Sequence, residues 1–142
     1  MKGFVCEHCG HVSINGSAPE SCPVCFTSKF MEKEDALKTA SDEADKSEKH
    51  SPVIVVNKTC GLIPGGCVDV HVKVGSVLHP MEKDHYIMWI DFYLDNEFIS
   101  RVSLTPEKVN PGAGLHLKIN SGKITVVEHC NLHGSWISEK KM

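Results

Sequence analysis

The chain has 142 residues, a formal net charge of −3 and a hydrophobic content of 41%, which suits one ordinary domain or a modest domain with a small companion. No apolar run approaches a membrane span, no basic stripe marks a nucleic-acid surface, and the opening "MKGFVCEHCG" lacks the apolar stretch of a secretion signal. A cytoplasmic protein is expected, with neither nucleic acid nor membrane as a partner.

Seven cysteines and nine histidines are many for this length, and an odd cysteine count excludes a fully paired disulfide framework. Cysteines in short pairs in a reducing compartment point to metal or redox chemistry. The first such pairs are Cys6 with Cys9 and Cys22 with Cys25: a C-x2-C, twelve residues, then another C-x2-C. Two such turns can set four thiolates around one metal at about 2.3 Å. A unit of this size, residues 1–31, cannot hold itself together by burial alone, so metal binding would supply most of its folding energy. Spacing alone leaves zinc and iron equally open. His8 and His11 beside the first pair read as solvent-facing loop residues.

Residues 32–47, "EKEDALKTASDEADKS", are mostly charged or small. Such a composition reads as a solvated linker, transiently helical at most. From residue 48 to 142 the pattern becomes β. "PVIVV" opens it, Val68, Val70, Val72 and Val74 alternate, and "YIMWIDFYL" and "FISRVSL" read as a hairpin across Asp95-Asn96. Leu115, Leu117 and Ile119 alternate again, and "KITVVEH" follows the Ser121-Gly122 turn. Short strands with no helix between them predict an antiparallel β-sandwich.

This region also carries His50, His71, His79, His85, His116, His129 and His133 with Cys60, Cys67 and Cys130. Position separates them. His79 and His85 flank the turn "PMEKD", Cys130 and His133 share "CNLHG" just after a strand, and His50 ends the charged segment. Strand ends and loops are where a rigid scaffold displays a site. His71 and His116 fall inside alternating strands opposite the apolar face and read as solvent-facing. His129 points to the face opposite Cys130. Cys60 and Cys67, in "TCGLIPGGC", lie across a Gly/Pro-rich turn between two strands; they read as free thiols, with a redox-responsive disulfide as the alternative. Trp89 and Trp136 read as core or pocket wall.

Two resemblances follow from these motifs. "FVCEHCGHV", "APESCPVC" and "KF" resemble the rubredoxin-like domain of rubrerythrins, which implies one iron on Cys6, Cys9, Cys22 and Cys25, with zinc possible there. Phe26 departs from the small residue usual after the second pair. "EKH" before Pro52, "HPMEKDHYIMWI" and "EHCNLHGSW", three motifs in order, resemble the superoxide reductases, including the desulfoferrodoxins and neelaredoxins. That resemblance implies an immunoglobulin-like β-sandwich. It also implies a mononuclear non-haem iron on His50, His79, His85 and His133 with Cys130 as axial thiolate, reducing superoxide to hydrogen peroxide without forming dioxygen. It further implies Lys49 as a mobile cation over the site, Glu48 as an occupant of the sixth position in the oxidised state, a rubredoxin-like or other electron donor, and a homodimer or higher homo-oligomer. In desulfoferrodoxins the first iron site ends in two adjacent cysteines, so the C-x2-C here departs from them. The competing readings are a two-centre iron protein for electron transfer or redox sensing, and a zinc-ribbon interaction module on a sandwich. The first has no use for an open coordination position; the second leaves the five His and Cys residues unexplained.

Overall fold

The computed structural model describes all 142 residues, Met1–Met142. The first unit is a small antiparallel sheet of β1 (Gly3–Cys6), β2 (Val12–Ser13) and β3 (Phe30–Lys33) in the order β2-β1-β3. A short helix, α1 (Ala44–His50), leads into the larger unit. There β4 (Pro52–Asn57), β5 (Val68–Val74) and β8 (Gly112–Leu117) form one sheet in the order β4-β5-β8. The strands β6 (Ile87–Leu94), β7 (Glu97–Ser103), β9 (Lys123–Cys130) and β10 (Gly134–Lys141) form the other, in the order β10-β9-β6-β7. All pairings are antiparallel, so the larger unit is the expected immunoglobulin-like sandwich.

Period-two patterning places the core. In β5, Val68, Val70, Val72 and Val74 are buried while His71 and Lys73 are exposed. Val70, Val72 and Val74 pack with Ile87, Ile90 and Phe92 of β6 and Ile124, Val126 and Cys130 of β9. Each such buried side chain contributes about 1.5–3 kcal/mol relative to exposure. The β6–β7 turn is the expected Asp95-Asn96, with φ of 49° and 69°, the left-handed pair that matches strand twist.

Four expectations are corrected. Residues 32–47 are not a solvated linker. β3 runs through Lys33, the Leu37 side chain is buried with Ala36 beside it, Lys38 bridges to Trp136, and α1 begins at Ala44. Ala36 and Leu37 join Val12, Tyr93 and Val127 in a second apolar cluster that spans both units. His11 is not a loop residue in solvent: it is 2% exposed, with its Nδ1 3.0 Å from Asp91 Oδ2. The "GSWISEKK" segment is a full strand, β10, absent from the strand reading. Ile119 lies beyond β8 and is exposed.

The two units are clamped along β6. Arg101 donates from Nε and Nη2 to both Asp91 oxygens, at 2.6 and 2.9 Å, and from Nη1 to the Cys9 carbonyl at 3.2 Å. Tyr93 O–H donates to the Val12 carbonyl at 2.7 Å. Gly10 packs so closely on Trp89 that a Cβ would sit 2.7 Å from the indole. Trp89 in turn stacks on His129 at 4.4 Å, with Arg101 on the ring 4.2 Å from its centroid.

Candidate metal centres

In the first unit the two C-x2-C turns repeat one geometry. Gly10 N–H donates to Cys6 O at 3.1 Å and Phe26 N–H to Cys22 O at 2.9 Å; Cys6 N–H reaches His11 O, and Cys22 N–H reaches Thr27 O. Gly10 and Phe26 both take the left-handed conformation, with φ of 79° and 68°. The thiols converge: Cys6 Sγ lies 3.5 Å from Cys25 Sγ, and Cys9 Sγ lies 3.6 Å from Cys22 Sγ. Burial raises the Cys6 thiol, but the N–H groups of Cys9 and His8 together with the Cys25 and Cys9 thiols outweigh it and bring it down to about 7. The same kind of N–H contact, Val24 N to Cys22 Sγ at 3.4 Å, faces the other turn. The four cysteines therefore gather into one donor set that suits a metal of tetrahedral preference.

The second site lies at one end of the sandwich. The imidazoles of His50, His79, His85 and His133 form a ring in that order, with centroid separations of 4.7, 4.7, 5.1 and 4.9 Å. The diagonal His50–His85 separation is 6.4 Å, as a four-sided arrangement requires. Neighbouring rings meet at 72–85°, edge to face. Cys130, wholly buried, has its Sγ 3.7 Å from His133 Nδ1. The donor atoms of His50, His85, Cys130 and His133 all lie within 4.8 Å of one another.

Hydrogen bonds aim these rings. His50 Nδ1–H donates to the Lys46 carbonyl at 2.8 Å, and His79 Nδ1–H to the Pro80 carbonyl at 2.7 Å. That leaves Nε2 of each as the lone-pair nitrogen. The Nε2 atoms of His50, His79 and His85 are buried without any protein partner. Buried polar atoms are normally satisfied, so three orphan nitrogens within one ring of imidazoles beside a thiol are what a metal site requires, although His79 stands outside the 4.8 Å set of donors. Burial, outweighing the Pro80 carbonyl, lowers His79 to about 4, so its imidazole is neutral and free to ligate. Burial lowers His50 and His133 as well and pushes the Cys130 thiol up. A metal cation is what would hold that sulfur as a thiolate.

The supports come from elements distant in sequence. α1 carries His50 inward on its last turn. The Gly75–Leu78 loop is tied to that helix by Val77 N–H and Ser76 O–H to the Glu48 carbonyl and by Gly75 N–H to Ser51 O. Gly75 sits at φ 89°, and a Cβ there would fall 2.2 Å from Val77 O, so only glycine fits. Asn131 staples the two ligand loops: its Oδ1 accepts from Tyr86 N–H at 2.9 Å and its Nδ2 donates to Asp84 O at 3.0 Å. Trp136 stacks on His50 at 5.0 Å and donates from Nε1 to His133 O at 3.2 Å.

The sequence reading missed Lys38 and Lys46. Lys38 Nζ donates to the His133 carbonyl at 3.4 Å and pairs with Glu43 at 2.7 Å. Lys38 and Lys46 line a cleft that ends on His133, and their charges help lower the His133 imidazole after burial and His85 have acted. Both lysines lie in a polar segment with no motif to mark them, whereas Asn131 lies inside "CNLHG", between two candidate ligands. Glu48 and Lys49 are exposed on the last turn of α1. Glu82 and Lys83 are exposed on the loop rim. His129 stays outside the ring of imidazoles, bonded through Nδ1 to Ser135 Oγ at 2.8 Å.

Comparison with known proteins agrees with this arrangement. A family model described as Desulfoferrodoxin matches residues 42–139. A desulfoferrodoxin of Desulfarculus baarsii is 33% identical over 141 residues, spanning 98% of this chain and 96% of its own, so both units align. A superoxide reductase of Pyrococcus abyssi is 34% identical over 108 residues, 68% of this chain and 90% of its own. Among solved structures, a superoxide reductase (neelaredoxin) from Ignicoccus hospitalis superposes with a TM-score of 0.61 at 28% identity, covering 75% of this chain and 94% of its own. No helix is long and apolar enough to cross a membrane.

Proposed function

Since this chain belongs to the desulfoferrodoxin family, we propose that it is a superoxide reductase whose iron is held by His50, His79, His85, His133 and Cys130. The observation that carries this reading is the ring of four imidazoles, three of them with orphan Nε2 atoms, beside a buried thiol. These five donors would leave a six-coordinate iron one position open to a small substrate, the difference between a catalytic and a closed site. Bound there, iron supplies the one electron that, with two protons, converts superoxide to hydrogen peroxide.

The chain's own groups do the rest. The Lys46 and Pro80 carbonyls hold His50 and His79 in the tautomer that presents Nε2. Trp136 fixes the His50 ring plane and, through the His133 carbonyl, the loop behind it. Lys38 and Lys46 place positive charge beside His133, which draws a small anion toward a protein of net negative charge. We assign Lys49, exposed next to His50, as the cation that would hold a proton-donating water at the open position, and Glu48 as the carboxylate that would occupy it in the oxidised state.

We read the chain as two metal-binding units, residues 1–31 and 48–142, with 32–47 as the packed strap between them. The first unit holds a second iron on Cys6, Cys9, Cys22 and Cys25. The contact series Gly10, Trp89, His129 leads from that unit to the residue beside Cys130, and it supports electron entry through the four-cysteine centre.

The test is the absorption spectrum of iron-loaded protein before and after mild oxidation. A thiolate-to-iron band appearing in the red on oxidation, lost in Cys130→Ser at unchanged iron content of the four-cysteine centre, is expected. Absence of that band in protein with two irons per chain would refute the ligand set.

A further inference from the structure

Outside both centres, one cluster of metal-ligating side chains has no role in the proposed reaction. It sits at the opposite end of the sandwich from the histidine ring. β4 leaves His50 at Pro52 and reaches the cluster at Asn57, a span of roughly 15–20 Å at strand rise. The connection from β4 to β5 carries Cys60, and Cys67 immediately precedes β5. The period of two that sends Val68 and Val70 inward turns Cys67 and Asp69 to the other face. The β5–β8 register sets Asp69 directly opposite His116. His116 Nδ1 lies 2.7 Å from Asp69 Oδ1, 3.3 Å from Cys67 Sγ and 3.6 Å from Cys60 Sγ; Cys67 Sγ lies 3.7 Å from Asp69 Oδ1. All four donor atoms fall within 4.8 Å of one another.

We propose that Cys60, Cys67, Asp69 and His116 form a third metal site, a closed tetrahedral site for zinc. Metal–ligand lengths of about 2.3 Å for sulfur and 2.0–2.2 Å for nitrogen and oxygen put neighbouring donors of a tetrahedron roughly 3.3–3.8 Å apart. The three contacts to sulfur already have that spacing; the 2.7 Å His116–Asp69 contact would open as both turn onto the metal. Two thiolates, one imidazole and one carboxylate fill four positions and leave none for substrate, so the site is structural. Asp69 Oδ2 lies 4.0 Å from His71 Nε2, so the second carboxylate oxygen has its own neighbour on the same face.

The loop itself supplies an independent reason. Its apolar residues face solvent, Leu62 at 70% and Ile63 at 46% exposure, and it turns through Gly65 and Gly66 at φ 89° and 110°. Burial therefore does not hold it to the sheet. A metal joining Cys60 in the loop to Cys67, Asp69 and His116 on the sheet does. The two cysteines are free thiols here rather than a disulfide.

The experiment uses the full chain with both iron centres loaded and intact by their visible spectra. Zinc is added under mild reductant, loose metal is removed, and zinc per chain is measured for wild type, Cys60→Ser/Cys67→Ser and His116→Ala. Wild type is expected to retain one zinc per chain more than either variant, with the iron spectra of all three unchanged. In parallel, zinc is expected to protect Cys60 and Cys67 from alkylation, and a chelator to restore it. Equal zinc content in the three proteins would overturn the proposal. So would alkylation that zinc leaves unaltered, or a Cys60–Cys67 disulfide, two hydrogens lighter, that persists under the reductant. The iron centres are monitored separately, so failure of this site is distinguishable from failure of the reductase reading.

Discussion

His11 of the four-cysteine unit and Asp91 of the sandwich meet with 3.0 Å between Nδ1 and Oδ2, and neither is more than 2% exposed. Arg101 completes the contact from the other side with two hydrogen bonds to the same carboxylate. Removing one partner of such a buried set leaves the others uncompensated. Asp91→Ala should therefore cost about 3–5 kcal/mol in denaturant unfolding of the iron-loaded protein. It should also make the four-cysteine unit susceptible to proteolysis while the sandwich resists. A loss below about 1 kcal/mol would mean the clamp is surface-like in its energetics.

Phe26 and Gly10 occupy equivalent places in the two C-x2-C turns, both left-handed, but only one is glycine. A non-glycine residue pays roughly 1–2 kcal/mol for that conformation. The Phe26 side chain recovers little, being 78% exposed. Phe26→Gly should raise the stability of the four-cysteine unit by about 0.5–1 kcal/mol after the extra unfolded-state entropy of glycine. Gly10→Ala should do the reverse, since its Cβ meets Trp89. The midpoint for denaturant loss of the four-cysteine iron spectrum reads both; a lower midpoint in Phe26→Gly would contradict the reasoning.

The metal-free protein should show opposing pH terms. Burial lowers His79 and His129 from 6.5 to about 4. Between those values the unfolded chain binds protons that the folded chain does not, so stability falls as pH falls from 6.5 toward 4. Glu128 acts oppositely. It is wholly buried on β9, neither carboxyl oxygen has a protein partner, and burial pushes it well above 4.5. Above pH 4.5 the folded state keeps a proton that the unfolded state releases, so this term lowers stability as pH rises. Glu128→Gln removes it. The rise in unfolding free energy from pH 4.5 to 6.5 should be steeper in the variant than in wild type; equal slopes would show that the carboxyl is not held protonated.

Charge beside His133 predicts a salt-sensitive rate. Lys46→Ala and Lys49→Ala should each slow reaction with superoxide roughly 2–10-fold at low ionic strength and little at high, without altering the iron spectrum. Rates equal to wild type at both ionic strengths would remove these lysines from substrate attraction.

The sequence carried the sandwich where its signal is local. β5 reads from four alternating valines, and the β6–β7 turn from Asp95-Asn96. It carried the candidate ligands because three motifs at strand ends stand apart from their surroundings. What it hid was tertiary. Leu37 lies among charges, and nothing nearby reveals that Val12, Tyr93 and Val127 wait to cover it. His11 looks like a loop residue until Asp91 and Arg101 arrive from β6 and β7, and His116, exposed as its strand position implies, gains Asp69 opposite it only through the register. β10 was illegible because an edge strand ending in "SEKK" keeps only Trp136 and Ile137 as apolar markers.

The most direct test is the yield of hydrogen peroxide per superoxide consumed by iron-loaded protein supplied with an electron donor, with dioxygen followed at the same time. Reduction of superoxide by one electron and two protons gives one peroxide for each superoxide and no dioxygen, and that is the predicted result. Half as much peroxide with matching dioxygen would mean dismutation, and no consumption above background would mean that the histidine ring serves electron transfer alone; either would contradict the account.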